Sequence, residues 1–477
     1  MKQIILFLLL VTFFPVVFAQ PTSLKGLALQ YAGYSVYAID ADNAEVLFET
    51  PQVSLVPASV MKVVTTAAAL EILGPGFQFH TQIGYVGKIS SSDSILNGNL
   101  VIAGGCDPAF YSEYFPDHYN GTYQEWALAL SQAGIHSIHG DLIVDLSRLD
   151  GASIPGGWLW EDIANYYGAG VSALTYADNC YKIHFSSQNM PGKPVLIAGI
   201  SPVMDSLHLI NNVVSAETNR DLTVVYGAPG SYNQWIEGTI PKGHADFVIK
   251  AATPNPACTA AVELVRILES NGIKLSGKIR LVNKKTEDFV LIADKASPSL
   301  QELIIPLNRE SINLFAEHLL REIGRAQKGS SALPESLEAL KDFWVDKGIF
   351  TNGFYPTDGS GLSRSNGVCS RTLAEVIRYM HRSVNRDVFF NSLPVAGQSG
   401  TLQNAFKGSH LENNLLAKTG SMTRVRSLTG IFTNQRGIKV VFAVITNNFD
   451  GTQSVIGHAF EGLLNELYVL NSPSASR

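Results

Sequence analysis

The feature that most constrains this chain is a change of texture between its ends and its middle. From about Phe79 to Ile304 the sequence consists of short strand-like runs separated by turns, as in "LNGNLVIAGGCDPAF", "IHSIHGDLIVDLSRL" and "LTVVYGAPG". An amphipathic helix near Pro256 to Gly272 and the strand "GKIRLVNK" close that region. The flanks read differently. "YSVYAIDADNAEVLFET" (Tyr34 to Thr50) predicts two strands around a polar turn, and the helix that follows stops at Gly74-Pro75-Gly76. Helical pattern returns from Pro306 with "SINLFAEHLLREIGRA" and "SLEALKDFWVDKG". Three consecutive strands then follow, "NNLLAKTGSM", "RSLTGIFTN" and "KVVFAVITNN", the last two joined by the turn Asn434 to Gly437, before the final helix "QSVIGHAFEGLLNELYVL". The expectation is an α/β domain built from both ends of the chain and interrupted by a largely β insertion.

The gross features narrow the setting. At 477 residues, 46% hydrophobic, the chain is long enough for two or three domains. A net charge of −6 with no basic tract argues against nucleic acid as a partner. The opening "MKQIILFLLLVTFFPVVFAQ" has a basic start at Lys2, an apolar run, and Val17 and Ala19 at −3 and −1 of a cut before Gln20. It reads as a secretory signal peptide over residues 1–19, the alternative being an uncleaved membrane anchor. With the signal removed, no further segment is long and apolar enough to span a bilayer, so a soluble exported protein, periplasmic or otherwise, is expected. The four cysteines, Cys106, Cys180, Cys258 and Cys369, allow up to two disulfides or four buried thiols. If one pair bonds, Cys180 with Cys258 is the choice, because they flank an insertion-like segment. No metal or cofactor is expected: the histidines His136, His139, His208, His318 and His381 form no ligand pattern.

Three short motifs carry chemistry. In "SLVPASVMKVVTTAAALEILGPG" (Ser54 to Gly76), Ser59 and Lys62 stand three apart, on one face of a predicted helix started by Pro57. Ser59 would lie near the positive end of that helix, where a developing anion is stabilised. A serine hydroxyl needs a base within hydrogen-bond reach, and a lysine serves as one only if burial or a second cation depresses its pKa. The bland alternative is a capping serine beside a solvated lysine. The second motif is Lys418-Thr419-Gly420 on a predicted strand, suited to a carboxylate-bearing substrate lying against that strand, with Gly420 clearing room for its backbone. The N–H of Ser421 could join that of Ser59 as an oxyanion hole. The third is Ser-x-Asn, which occurs at Ser187, Ser231, Ser311 and Ser383. Spacing does not choose among them. Context favours Ser311 and Asn313, which open a helix with Leu314, Phe315, His318, Leu319 and Ile323 on its apolar face.

In this order the motifs match the Ser-x-x-Lys, Ser-x-Asn, Lys-Thr-Gly signature of penicillin-recognising serine enzymes. The chain resembles the class C low-molecular-mass penicillin-binding proteins, the D-alanyl-D-alanine carboxypeptidase/endopeptidase family, over nearly its whole mature length. "AGGCDP" looks like that family's Gly-Gly-Gly-Asp-Pro turn with Cys106 in place of a glycine, and "HGDLIVD", "PGGWLWED" and "TDGSGLSRSN" look like further markers. The resemblance implies a transpeptidase-like (β-lactamase-like) catalytic domain, an antiparallel sheet flanked by helices, over 20–80 and 300–477. It implies an inserted domain over 81–177 and 256–299, and a second nested in it over 178–255.

It also implies roles. Ser59 is acylated by a peptidoglycan stem peptide ending in D-Ala-D-Ala, and Lys62 is the base, its pKa lowered partly by Lys418. Ser311 passes the proton to departing D-alanine and Asn313 orients the acyl chain. Lys418 and Thr419 bind the terminal carboxylate, and β-lactam antibiotics inhibit by acylating Ser59. A β-lactamase or esterase on the same scaffold, and a catalytically weak peptidoglycan-binding protein, are the other functions considered. "EDIAN" (Glu161 to Asn165) has the spacing of a class A β-lactamase deacylating loop but precedes Ser311, so it is read as a turn and helix start.

Overall fold

The computed structural model describes Ser23 and residues 26–470. The expected signal segment lies outside the described residues. The central sheet is antiparallel and five-stranded, in the order Leu416–Met422, Val425–Thr433, Lys439–Asn447, Gly33–Asp40, Val46–Glu49. Both ends of the chain therefore meet in one sheet, Gly33 pairing with Asn447 and Asp40 with Val440.

Successive residues of a strand point to opposite faces, and these strands are apolar on both. Val36, Ala38, Phe442 and Val444 enter one core, shared with Ile456, Phe460 and Leu463 of the final helix, Gln453–Val469. Tyr37, Ile39, Val441, Ala443 and Ile445 enter the other, shared with the helices Met61–Leu73, Asn313–Lys328 and Ser370–Arg382. The result is a sheet buried between two helical layers.

The middle of the chain forms separate sheets. A seven-stranded sheet takes His80–Ser90, Ile95–Ala103, Ser137–His139, Leu142–Asp145, Lys274–Leu275, Ile279–Val282 and Val290–Ala296. Two three-stranded sheets take the strands between Cys180 and Ala252.

Two local expectations are corrected, and the choice left open for the cysteines is decided. The chain around Ser59 is a 3-10 turn, Ala58–Val60, and the α-helix begins only at Met61. The helix after Ser311 is not half-exposed: every residue from Asn313 to Gly324 is buried. Its charged members take partners from other segments, Arg321 donating to the carbonyls of Ser331 and Ala152 and Glu322 pairing with Arg148. All four cysteines are free. Cys180 Sγ turns toward the carbonyls of Asp178 and Tyr166, away from any bridge to Cys258. Cys106 has φ +58, the left-handed region that favours glycine, and its N–H donates to Ala173 O at 2.7 Å.

Candidate active site

The helix Met61–Leu73 is buried from Met61 to Leu70, so Lys62 has no watery side to reach. Its side chain is fully buried. Lys62 Nζ lies 2.9 Å from Ser59 Oγ, 2.5 Å from Asn313 Oδ1 and 2.8 Å from the carbonyl oxygen of Ser360. Burial lowers its pKa to about 7, against the pull of the Asp358 and Glu317 carboxylates, which favour the charged form.

Lys418 is equally buried, on the edge strand Leu416–Met422. Its ammonium donates to Ser311 Oγ at 2.9 Å and to Thr419 O at 2.9 Å. Burial first, and the Lys62 cation second, hold its pKa well below the ordinary lysine range. Repulsion between the two cations was expected to act on Lys62; at Lys62 the depression comes from burial.

Two strained backbone positions set the hydroxyls. Ala58, just before Ser59, has φ +51, and Ser311 has φ +63. Neither is glycine, so each costs about 1 kcal/mol or more, held in place by the packing around it. The other Ser-x-Asn candidates lie elsewhere. Ser187 donates to Pro241 O and Ser231 to Asn233 O in the inserted region, and Ser383 bonds Glu71.

Gly420 faces the Ser59 turn so closely that a Cβ would sit 2.7 Å from Pro57 O and 3.0 Å from Ser59 N. Along an antiparallel edge strand, alternate N–H groups point out of the sheet. Ala417 N donates outward to Pro394 O, so the N–H of Thr419 and of Ser421 also point outward. Thr419 Oγ1 is hydrogen-bonded to Thr401 Oγ1 at 2.8 Å, a partner no sequence motif marks. Ser59, Ser311, Asn313 and Ser421 share one open cavity of about 560 Å³. Glu161, Asp162 and Arg364 line the same cavity.

Sequence reasoning noticed "TDGSGLSRSN" only as a marker, yet it supplies a partner to Lys62. Glu317 Oε1 accepts the N–H groups of Gly359 and Ser360 at 3.0 and 2.8 Å. Asp358 accepts from Gly361 N, Ser363 N, Asn366 Nδ2 and Trp158 Nε1. Gly361 has φ +84, and a Cβ there would meet Ala58 O at 2.0 Å, which brings the loop against the Ser59 turn. A buried acid at Glu317 was the available signal, four residues after Asn313 on a helix otherwise read as amphipathic. In "EDIAN", Asn165 clamps the turn to a neighbouring strand through Val225 N and O. Among the described residues no cluster of His, Cys, Asp and Glu could hold a metal.

The chain is 29% identical over 402 residues to D-alanyl-D-alanine carboxypeptidase DacB of Haemophilus influenzae, covering 83% of this chain and 81% of that protein. It is 28% identical over 438 residues to the D-alanyl-D-alanine carboxypeptidase of Actinomadura sp., covering 89% and 79%. The crystal structure of penicillin binding protein 4 from Haemophilus influenzae is similar with a TM-score of 0.80 and 27% identity over 92% of this chain and 97% of that one. The same protein complexed with a β-lactam gives a TM-score of 0.75 and 26% identity over the same shares. With the D-Ala-D-Ala carboxypeptidase 3 (S13) family model matching residues 23–464, the chain belongs to that family.

Proposed function

We propose that this chain is a serine D,D-peptidase that removes the terminal D-alanine of peptidoglycan stem peptides through an acyl-enzyme at Ser59. It acts outside the cytoplasmic membrane and also cuts peptide cross-links of the same bond type. The observation that carries this is the contact between the buried Lys62 Nζ and Ser59 Oγ, 2.9 Å apart.

A neutral amine has two N–H groups and one lone pair. Asn313 Oδ1 and Ser360 O take the two N–H groups, which leaves the lone pair for the Ser59 hydroxyl. Ser59 Oγ attacks the carbonyl carbon of the penultimate D-alanine while its proton passes to Lys62. The N–H groups of Ser59 and Ser421 receive the oxyanion. Ser311 delivers a proton to the departing amine as the C–N bond breaks, and that proton is replaced from Lys62. Water then attacks the ester, Lys62 taking its proton, and Ser59 is released.

The terminal carboxylate docks at Lys418 and Thr419. Its arrival favours the charged form of Lys418 that burial and Lys62 oppose in the free protein. β-Lactams present the same carboxylate and a strained amide and so acylate Ser59.

The separate strand memberships of the sheets support the division into a catalytic domain (20–80, 300–477), an inserted domain (81–177, 256–299) and a nested one (178–255). Among the described residues no helix is long and apolar enough to cross a membrane.

Incubation with labelled penicillin followed by mass mapping tests the proposal, together with D-alanine release from a stem peptide. An adduct on Ser59 and release of one D-alanine are expected. An adduct elsewhere, or none, overturns it.

A further inference from the structure

Outside the catalytic cavity, three aromatic side chains gather at its inserted-domain side. Tyr226 and Trp235 are direct cross-strand partners, their rings stacked with centroids 5.3 Å apart. Trp160 closes the group at 5.0 Å from Tyr226 and 5.2 Å from Trp235. Trp160 is 53% exposed, which is unusual for the largest apolar side chain. Carboxylates rim the group: beyond the effect of burial, Glu237 and Glu161 both lie close enough to the Tyr226 hydroxyl to raise its pKa.

The group is continuous with the catalytic cavity. Val224 lines that cavity, and Tyr226, two residues on, shares its strand face. Trp160 immediately precedes Glu161 and Asp162, which line the same cavity. Asn165 fixes this turn to the strand through both polar groups of Val225, so the three rings are pre-organised.

We propose that Trp160, Tyr226 and Trp235 form a stacking platform for the glycan strand that carries the stem peptide. The proposal rests on the peptidoglycan reading above. Sugar rings present an axial C–H face that packs on aromatic faces, while their hydroxyl and N-acetyl groups need polar partners at the rim. Glu161 and Glu237 supply acceptors of that kind. A peptide held at Ser59 brings its own glycan to this side of the molecule, so the two contacts add through effective concentration.

Ligand-observed NMR titration of the intact chain with a soluble β-1,4-linked tetramer of N-acetylglucosamine reads the platform without chemistry at Ser59. Saturable millimolar binding is expected, weakened about fivefold or more in Trp160→Ala/Trp235→Ala and kept within about twofold in Trp160→Phe. Binding is expected to persist after Ser59 is blocked with penicillin. If the double variant does not fold, Trp160→Ala alone, whose ring is half exposed, is expected to show about a threefold loss. No saturable binding by the unaltered chain, or equal binding by the alanine variant, overturns the proposal. Absence of a penicillin adduct overturns the peptidase reading instead and leaves this titration readable.

Discussion

Asp358 and Lys62 sit at opposite ends of one peptide unit. The N–H of Gly361 donates to Asp358 Oδ1 at 2.7 Å, and the carbonyl of Ser360, across the same peptide bond, accepts Lys62 Nζ at 2.8 Å. The carboxylate therefore orients the dipole that holds the amine, and with it the lone pair aimed at Ser59. Replacing Asp358 by Asn puts an NH2 against donors such as Ser363 N and Trp158 Nε1 at Oδ2. A loss of about 2–4 kcal/mol in unfolding free energy is expected, measured by denaturant melts, with a parallel fall in penicillin acylation.

The pH dependence of acylation follows from Lys62. Its pKa is lowered to about 7, and only the neutral amine accepts the Ser59 proton. The acylation rate should therefore rise as pH increases through about 7 and level off above it. Stopped-flow penicillin acylation across that range checks this, and a rate that falls over the same interval contradicts it.

Glu317 shifts that profile. Its carboxylate favours protonated Lys62, so Glu317→Gln removes a charge while leaving an oxygen for the N–H groups of Gly359 and Ser360. The rising limb should move to lower pH, and only modestly, because Glu317 is itself raised to about 7 by burial. A purely structural role would lower the plateau without moving the limb.

The sheet and its two helical layers were legible because period-2 and helical patterns are written into local runs such as "KVVFAVITNN" and "SINLFAEHLL". The three motifs were legible because Ser59, Lys62, Ser311 and Lys418 stand in short fixed spacings. The rest depends on packing between distant segments. Nothing local says that Lys62 meets Ser360, 298 positions away, or that Thr419 meets Thr401. The buried charges at Glu317 and Arg321 disguised a helix buried on all sides from Asn313 to Gly324 as an amphipathic one, because their partners come from other segments. Four free thiols escaped a cysteine count that is equally compatible with bridges.

Because no disulfide closes any loop, reductant should not change stability. The thermal midpoint with and without dithiothreitol should agree to within about 1 °C, and alkylation of the denatured chain should label all four cysteines. A midpoint that drops on reduction would reveal a bridge.

Gly420 gives the most selective test of the site's geometry. A Cβ there would meet Ser427 Oγ at 2.2 Å, Pro57 O at 2.7 Å and Ser59 N at 3.0 Å. The first contact can rotate away, but the other two are backbone atoms of the turn that presents Ser59. Gly420→Ala should therefore push the Lys418 strand and the Ser59 turn apart by a fraction of an ångström, spoiling the proposed pairing of the Ser59 and Ser421 N–H groups around an oxyanion. A misplacement of about 1 Å costs about 100-fold in rate, so a shift of roughly half that should cost about 10-fold. Acylation by penicillin should drop by that order. Stability should fall only slightly, because the strand lies at a sheet edge and keeps its pairing to Val425–Thr433. Unchanged acylation would mean that the strand and the turn move together, and that the N–H of Ser421 is not part of the oxyanion site.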